Sequence, residues 1–261
     1  MLTKQELDRI CVVLVRARNP SNIGAAARAM HDFGFAGLRV VNEFPVPFEA
    51  AKSAVDASEV MASAVTCASV AEAVGDCTLV VGTTAVGERT LQHELLTLAE
   101  GAPKMREELR RGSGEGRVAL LFGSEKTGLS NEELSHCNWL LTVPMRSHAD
   151  MRHASMNLGQ AVAVCLYELV RNPTQNGEAV MNGAPNTSGE PATAADLERV
   201  TALLQQVMEK TGYTLRYPHN ADPAQVRRLV RRIGVDAVDA PVWMGILRQM
   251  LWKLGVPRGE E

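Results

Sequence analysis

Five short apolar runs punctuate the first two thirds of the chain: 11–15 (CVVLV), 38–41, 79–81, 118–122 and 140–143. Most are near-continuous rather than alternating, the pattern of strands covered on both faces. Between them apolar positions recur at helical spacing. The stretch 21–33 sets Ile23, Ala26, Ala27 and Met30 in one stripe and meets a stop at Gly34. The stretches 50–65 and 155–170 read likewise. Strands that alternate with helices predict an α/β fold: a parallel sheet, helices on both faces, right-handed crossovers.

The pattern then changes. Residues 172–191 (NPTQNGEAVMNGAPNTSGEP) are rich in Asn, Gly, Pro, Ser and Thr and carry no sustained periodicity, which reads as a flexible linker. Beyond it Leu197, Val200, Leu203, Leu204 and Val207 mark a helix over 194–211, and 221–233 and 242–254 also look helical. This tail is too short for a large core of its own and is expected to be a small helical appendix packed on a partner surface. The expected organisation is a body at 1–171, a linker at 172–193 and a helical extension at 194–261. The charged, glycine-rich stretch 107–117 reads as a surface loop.

Composition narrows the classes. The chain has 261 residues, 46% hydrophobic and 22% charged, ordinary for a soluble globular protein. No run of 18 apolar residues occurs, so no spanning helix is expected, and the opening MLTKQELDRI is too polar for a signal peptide. Five scattered cysteines without a CxxC argue against a disulfide framework or a zinc site, and no metal is expected. The expected location is the cytoplasm, with reduced thiols. A formal net charge of -3 means that any nucleic acid must be held by local patches.

The candidate chemistry sits in turns at strand ends. Asn19-Pro-Ser-Asn-Ile-Gly-Ala-Ala-Ala-Arg28 follows the first strand and opens a helix that Ser21 or Asn22 can cap. Gly24 permits close backbone approach, and Arg28 lies one turn beyond it on the same face. Leu121-Phe-Gly-Ser-Glu-Lys-Thr-Gly-Leu129 is a tight loop with Glu125 between two glycines; Leu129 stands where a Walker loop needs lysine. Val143-Pro-Met145 ends a strand, and Ser155-Met-Asn-Leu158 opens a helix that Ser155 or Asn157 can cap. A fourth turn is Gly82-Thr-Thr-Ala85. Each alone reads as an ordinary capped or βα turn. Together they lie at the carboxyl ends of strands, where open α/β sheets bind ligands. They offer backbone groups and small side chains for a flat base and a ribose, but no phosphate cradle.

The NxGxxxR turn (Asn22, Gly24, Arg28), the FGSExxGL loop (122–129) and the VPM…SMNL pair (143–158) resemble, in order, the three motifs of the SPOUT superfamily. Within it the chain is most similar to the TrmH-type RNA ribose 2′-O-methyltransferases, and the tail is similar to the extension of members acting on nucleotide 32 of the tRNA anticodon loop. The resemblance implies a trefoil knot near the carboxyl edge of the sheet, S-adenosylmethionine as cofactor, tRNA as partner and a homodimer. It further implies that Thr83, Thr84 and Ala85 flank the cofactor, that Gly123, Val143, Pro144 and Met145 meet it with backbone, and that Ser155, Met156 and Asn157 close the pocket. Arg28 becomes the catalytic arginine, Asn22 its support, Ser155 a third catalytic candidate, and Glu125 the brace of its loop. The chain departs from the pattern in a long basic stretch at 146–154 (RSHADMRHA) and in Val86-Gly87 where an arginine is expected, with Arg89 following.

A guanidinium stays protonated, so Arg28 is expected to hold an RNA phosphate and stabilise a developing alkoxide, not to act as a base. His148 and His153 are of the residue type that can change charge near neutrality, but they read as solvated or RNA-facing. RNA contacts are expected from Arg16, Arg18, Arg146 and Arg152 on the rim. A basic helical face of Arg227, Arg228, Arg231 and Arg232, with Arg216 nearby, is expected from the tail. DNA and membranes are not expected partners. The competing readings are a methyltransferase for another tRNA or rRNA position, a non-catalytic RNA-binding protein of this fold, and a nucleotide-binding oxidoreductase or transferase. The last lacks a Gly-rich dinucleotide turn followed by an acidic residue.

Overall fold

The computed structural model describes residues 2–42, 57–85, 91–111, 115–145, 156–171 and 190–255. A short helix α1 (Lys4–Leu7) precedes β1 (Ile10–Val15), α2 (Pro20–Asp32) and β2 (Gly37–Val41). Then come α3 (Ser58–Ala62), β3 (Val65–Cys67), α4 (Val70–Val74), β4 (Leu79–Thr83), β5 (Leu95–Thr97), α5 (Leu98–Glu108) and β6 (Val118–Phe122). The body closes with α6 (Asn131–Leu134), β7 (Trp139–Thr142) and α7 (Leu158–Val170). The extension holds α8 (Ala194–Lys210), α9 (Tyr213–Arg216), α10 (Pro223–Ile233) and α11 (Asp239–Lys253).

The seven strands form one parallel sheet in the order β3-β2-β1-β6-β4-β7-β5. Every residue of β1 and β6 is buried, as their unbroken apolar runs require of central strands. Side chains alternate between two layers. Ile10, Val12 and Leu14 face the core shared with α2, α5 and α7, while Cys11, Val13 and Val15 face the one shared with α4, α6 and the start of α8. All five cysteines are buried and none is in a disulfide. No described helix is long and apolar enough to cross a membrane.

All five strands predicted from apolar runs are present. The two that the pattern does not reveal, β3 and β5, are three-residue edge strands with partly or fully exposed positions. The helix expected over 50–65 ends earlier: its described part stops at Ala62, and Val65 and Thr66 pair with β2. The surface loop expected at 107–117 begins as the last turn of α5, which runs to Glu108 with Pro103 inside it. The stretches 86–90 and 146–155, next to the strand ends where the knot is implied, lie outside the described residues.

The extension has its own small core of Ala192, Leu197, Val200, Val230, Val235, Ala240 and Leu247. It docks on its own body rather than only on a partner. Ala194 N–H donates to the Cys77 carbonyl at 2.8 Å and Ala195 N–H to that of Gly75 at 3.0 Å. Ala194 is part of the body's second core layer. The expected linker at 172–193 lies mostly outside the described residues; Pro191, within it, already bridges to Asp236.

Candidate active site

Three neighbouring strands, β6, β4 and β7, bring most of the expected cofactor-flanking residues side by side at one sheet edge. Gly123 follows β6, Thr83 ends β4 with Thr84 and Ala85 beyond it, and Val143, Pro144 and Met145 follow β7. Thr83 Oγ1 donates to the Leu121 carbonyl at 2.8 Å, and Thr84 N–H to that of Leu141 at 2.9 Å, so the β4 turn is tied to both neighbours. Gly123, Thr83, Thr84, Val143 and Met145 are half-buried, and Ala85 and Pro144 are exposed.

The loop after β6 is closed on itself. Ser124 and Gly128 bridge, Gly128 N–H donates to the Ser124 carbonyl at 2.8 Å, and Gly128 turns the chain at φ +66. A Cβ on Gly123 would lie 2.1 Å from the Gly128 carbonyl carbon, so only glycine fits there. Ser130 caps α6 in a capping box with Glu133.

Arg16 reaches this loop from β1. It has φ +55, a left-handed backbone rare outside glycine, held by its N–H to the Val41 carbonyl at 2.8 Å. Its guanidinium donates to both carboxylate oxygens of Glu133, at 2.6 and 2.9 Å, and to the Gly128 carbonyl at 3.0 Å. Burial works to raise the Glu133 pKa, but Arg16 and the Ser130 N–H outweigh it and hold the carboxyl below its usual value. Arg16, expected as an RNA contact, is therefore engaged inside the chain as the brace of the FGSExxGL loop.

The first and third motifs meet that loop through side chains. Asn19 caps α2, accepting from Ser21 N–H at 3.0 Å, so the cap lies two or three residues before the positions expected to supply it. Asn22 is thereby left for other bonds. Its Nδ2 donates to Glu125 Oε1 at 2.7 Å, and its Oδ1 accepts from Asn157 Nδ2 at 3.3 Å. Asn157 caps α7 as expected, accepting from Gly159 N–H at 3.0 Å. One chain of hydrogen bonds, Asn157 to Asn22 to Glu125, thus joins all three motifs. Met156 is half-buried beside it in sequence. Arg28 is exposed on α2, in a strip with Ser21, Ala25 and Asp32. Ser155, Arg146, Arg152, His148 and His153 lie outside the described residues.

Arg18 is exposed near the rim, as expected. The tail arginines differ from expectation. Arg227 donates to Glu198 and Glu132, each at 3.0 Å, and to Ser135 Oγ at 2.7 Å. Arg228 and Arg231 are less than a tenth exposed, and burial lowers both their pKa values. Only Arg232 of the four is exposed. The solvated basic face does not form because the same helix side carries Val226 and Val230, which bury it and draw the neighbouring arginines inward. The Arg16–Glu133 and Asn22–Glu125 pairs were not expected; the Ser130-x-x-Glu133 capping signature is the one local signal of the first.

Residues 9–167 match the model of the SpoU rRNA methylase family. The chain belongs to that family. It is 34% identical over 257 residues to tRNA (cytidine/uridine-2′-O-)-methyltransferase TrmJ of Cronobacter sakazakii, an alignment covering 98% of this chain and 99% of that protein. A Pseudomonas aeruginosa relative, tRNA (cytidine/uridine/adenosine-2′-O-)-methyltransferase TrmJ, is 33% identical over 251 residues, 93% of this chain and 94% of its own. Among solved structures, TrmJ from Z. mobilis ZM4 superposes with a TM-score of 0.75 at 28% identity, covering 92% of this chain and 98% of that one. This SpoU-family member is an RNA ribose 2′-O-methyltransferase, and S-adenosylmethionine is its cofactor. The residues present fit that group: three adjacent strand ends give backbone donors and acceptors among mostly small side chains.

Proposed function

We propose that this enzyme methylates the ribose 2′-hydroxyl of nucleotide 32 in the tRNA anticodon loop and works as a homodimer. The observation that carries the reading is the Asn157–Asn22–Glu125 chain, which holds the three motif turns together beside three adjacent strand ends. The substrate class rests on the relatives named above, whose likeness spans the extension as well as the body.

S-adenosylmethionine supplies a sulfonium methyl with a good neutral leaving group, so the protein's task is alignment and charge stabilisation. Thr83, Thr84, Ala85, Gly123, Val143, Pro144, Met145 and Met156 hold the cofactor, and Ser155 closes the pocket. Glu125 and Asn157, tied through Asn22, keep the second and third turns at a fixed spacing. The Arg28 guanidinium grips a phosphate of the RNA and stabilises the alkoxide as it forms. The hydroxyl proton passes to that phosphate or to water. Arg28 stands six residues beyond Asn22, about 9 Å along the helix axis at 1.5 Å per residue. That offset suits a residue serving the partner's cofactor in a two-fold dimer, with α2 and α7 in the interface. Arg18, Arg146 and Arg152 contact RNA at the rim.

The test is transfer of labelled methyl from S-adenosylmethionine to unmodified tRNA, followed by alkaline hydrolysis. A 2′-O-methyl blocks cleavage of the next phosphodiester, so the reading expects one gap in the ladder after nucleotide 32. A gap elsewhere overturns the position, and label with no gap overturns ribose methylation.

A further inference from the structure

Between the N-terminal end of α10 and the start of α6 lies a cleft of about 380 Å³, outside the motif turns. Arg227, Arg228 and the first residues of α10 line one side, and Asn131 and Glu132 the other. A hollow of about 20 Å³ adjoins it, sharing Arg228 and Asn131 and adding His93.

The arginine at the centre is short of partners. Arg228 is 8% exposed and, among the described residues, its guanidinium makes no hydrogen bond. Among the described residues its paired carboxylate, Asp222, stands 3.9 Å away, is half exposed, and already caps α10 by accepting from Gln225 N–H. Arg231, 7% exposed, has a buried Nε with no partner among the described residues. Glu198 and Glu132, the other acids nearby, both spend hydrogen bonds on Arg227. The local field is positive: His93 is pushed down to about 4, by burial first and then by Arg228, Arg231 and Arg232. Its buried Nε2 has no partner among the described residues, and the residue lines the hollow. A buried guanidinium without a close anion is costly, and an anion with several acceptor oxygens relieves that cost. The eleven-residue α10 adds its positive N-terminal dipole at the same spot.

We propose that this cleft is a phosphate-binding site in which Arg228 is the principal ligand, flanked by Arg227 and backed by Arg231. The phosphate has two possible sources: a phosphodiester of RNA spanning body and extension, which rests on the tRNA reading above, or a free phosphate-bearing molecule, which does not.

Full-length protein is melted in about 20 mM inorganic phosphate and in chloride of equal ionic strength. The wild type is expected to melt ~3 °C higher in phosphate. Arg228→Met is expected to lose that difference, and Arg232→Gln, at the exposed neighbour, to keep it. The readout is a difference within each variant, so a change in basal stability does not confuse it; if Arg228→Met does not fold, Arg228→Gln gives the same reading. Equal phosphate shifts in wild type and Arg228 variants, or no shift at all, overturn the site. Repeating the wild-type melts with saturating tRNA separates the sources. A shift abolished by tRNA assigns the site to the RNA backbone, and one that persists assigns it to a free phosphate compound. Methyl transfer is read in no arm, so failure here leaves the methylation reading standing.

Discussion

In the mechanism proposed above, Arg28 is the residue on which the chemistry turns. It projects from the exposed strip of α2, while the residues proposed to hold the cofactor come from turns at other strand ends. Arg28→Ala is therefore expected to leave S-adenosylmethionine affinity within a few-fold and to cut methyl transfer by roughly 10² or more, the scale for losing a preorganised charged donor. Isothermal titration and single-turnover transfer on the same protein check both halves; near wild-type turnover at saturating tRNA would sink the assignment. At this scale the motifs were legible because each is a short segment whose residue types are fixed by a turn. Asn22, Glu125 and Asn157 were read from three such segments, and the structure joins them. The role of Arg16 was not legible, because its partner Glu133 stands 117 positions away and its left-handed backbone has no sequence signature.

Elements carry two further expectations. The α2–α7 pair packs backbone to backbone at one point: a Cβ on Gly159 would lie 2.7 Å from Ala25 Cβ. Gly159→Ala must push α7 away, costing about 1–3 kcal/mol as overpacking does. It also shifts Asn157 two residues upstream, so cofactor binding should weaken in parallel with the urea midpoint. Unchanged values of both would show that the helices part freely. The other element is α1. Glu6 accepts from Thr3 N–H at 2.6 Å and from Arg110 at 2.8 Å. The Thr3 bond chiefly, against burial and with help from Arg110, lowers its pKa from 4.5 to about 2. A depressed carboxylate contributes stability in full above its unfolded pKa and loses it as pH falls through the folded one. The urea midpoint of wild type over Glu6→Gln should thus be widest above about pH 4.5 and narrow toward pH 2. A difference that is flat with pH contradicts the pairing. Apolar periodicity identified α2, α7, α8, α10 and α11 because each has one continuous buried stripe. It missed β3 and β5, whose three residues are too few to show a period. It also misjudged α10, since the pattern gives the buried stripe but not whether flanking arginines find carboxylates inside the fold.

At the scale of the whole molecule, body and extension are one docked structure. Ala194 enters the second core layer of the body, and Arg227 ties α10 to Glu132 and Ser135 of the α6 region. Ending the chain after Arg171 should lower the melting temperature by about 5 °C, the shift that a loss of one to two kcal/mol gives at this size. An unchanged melting temperature would mean that the extension merely hangs from the body. The sequence could place the composition break near residue 172 but not this docking, which depends on contacts between segments far apart in the chain, 95 positions for Arg227 and Glu132 and 92 for Arg227 and Ser135.

The central claim is methyl transfer to one ribose hydroxyl. It is tested most directly with two synthetic tRNAs that differ in a single atom, one carrying ribose and the other 2′-deoxyribose at nucleotide 32, each incubated with the full-length enzyme and labelled S-adenosylmethionine. Label should enter the first and be absent from the second. Equal label in both, or none in either, would contradict the account.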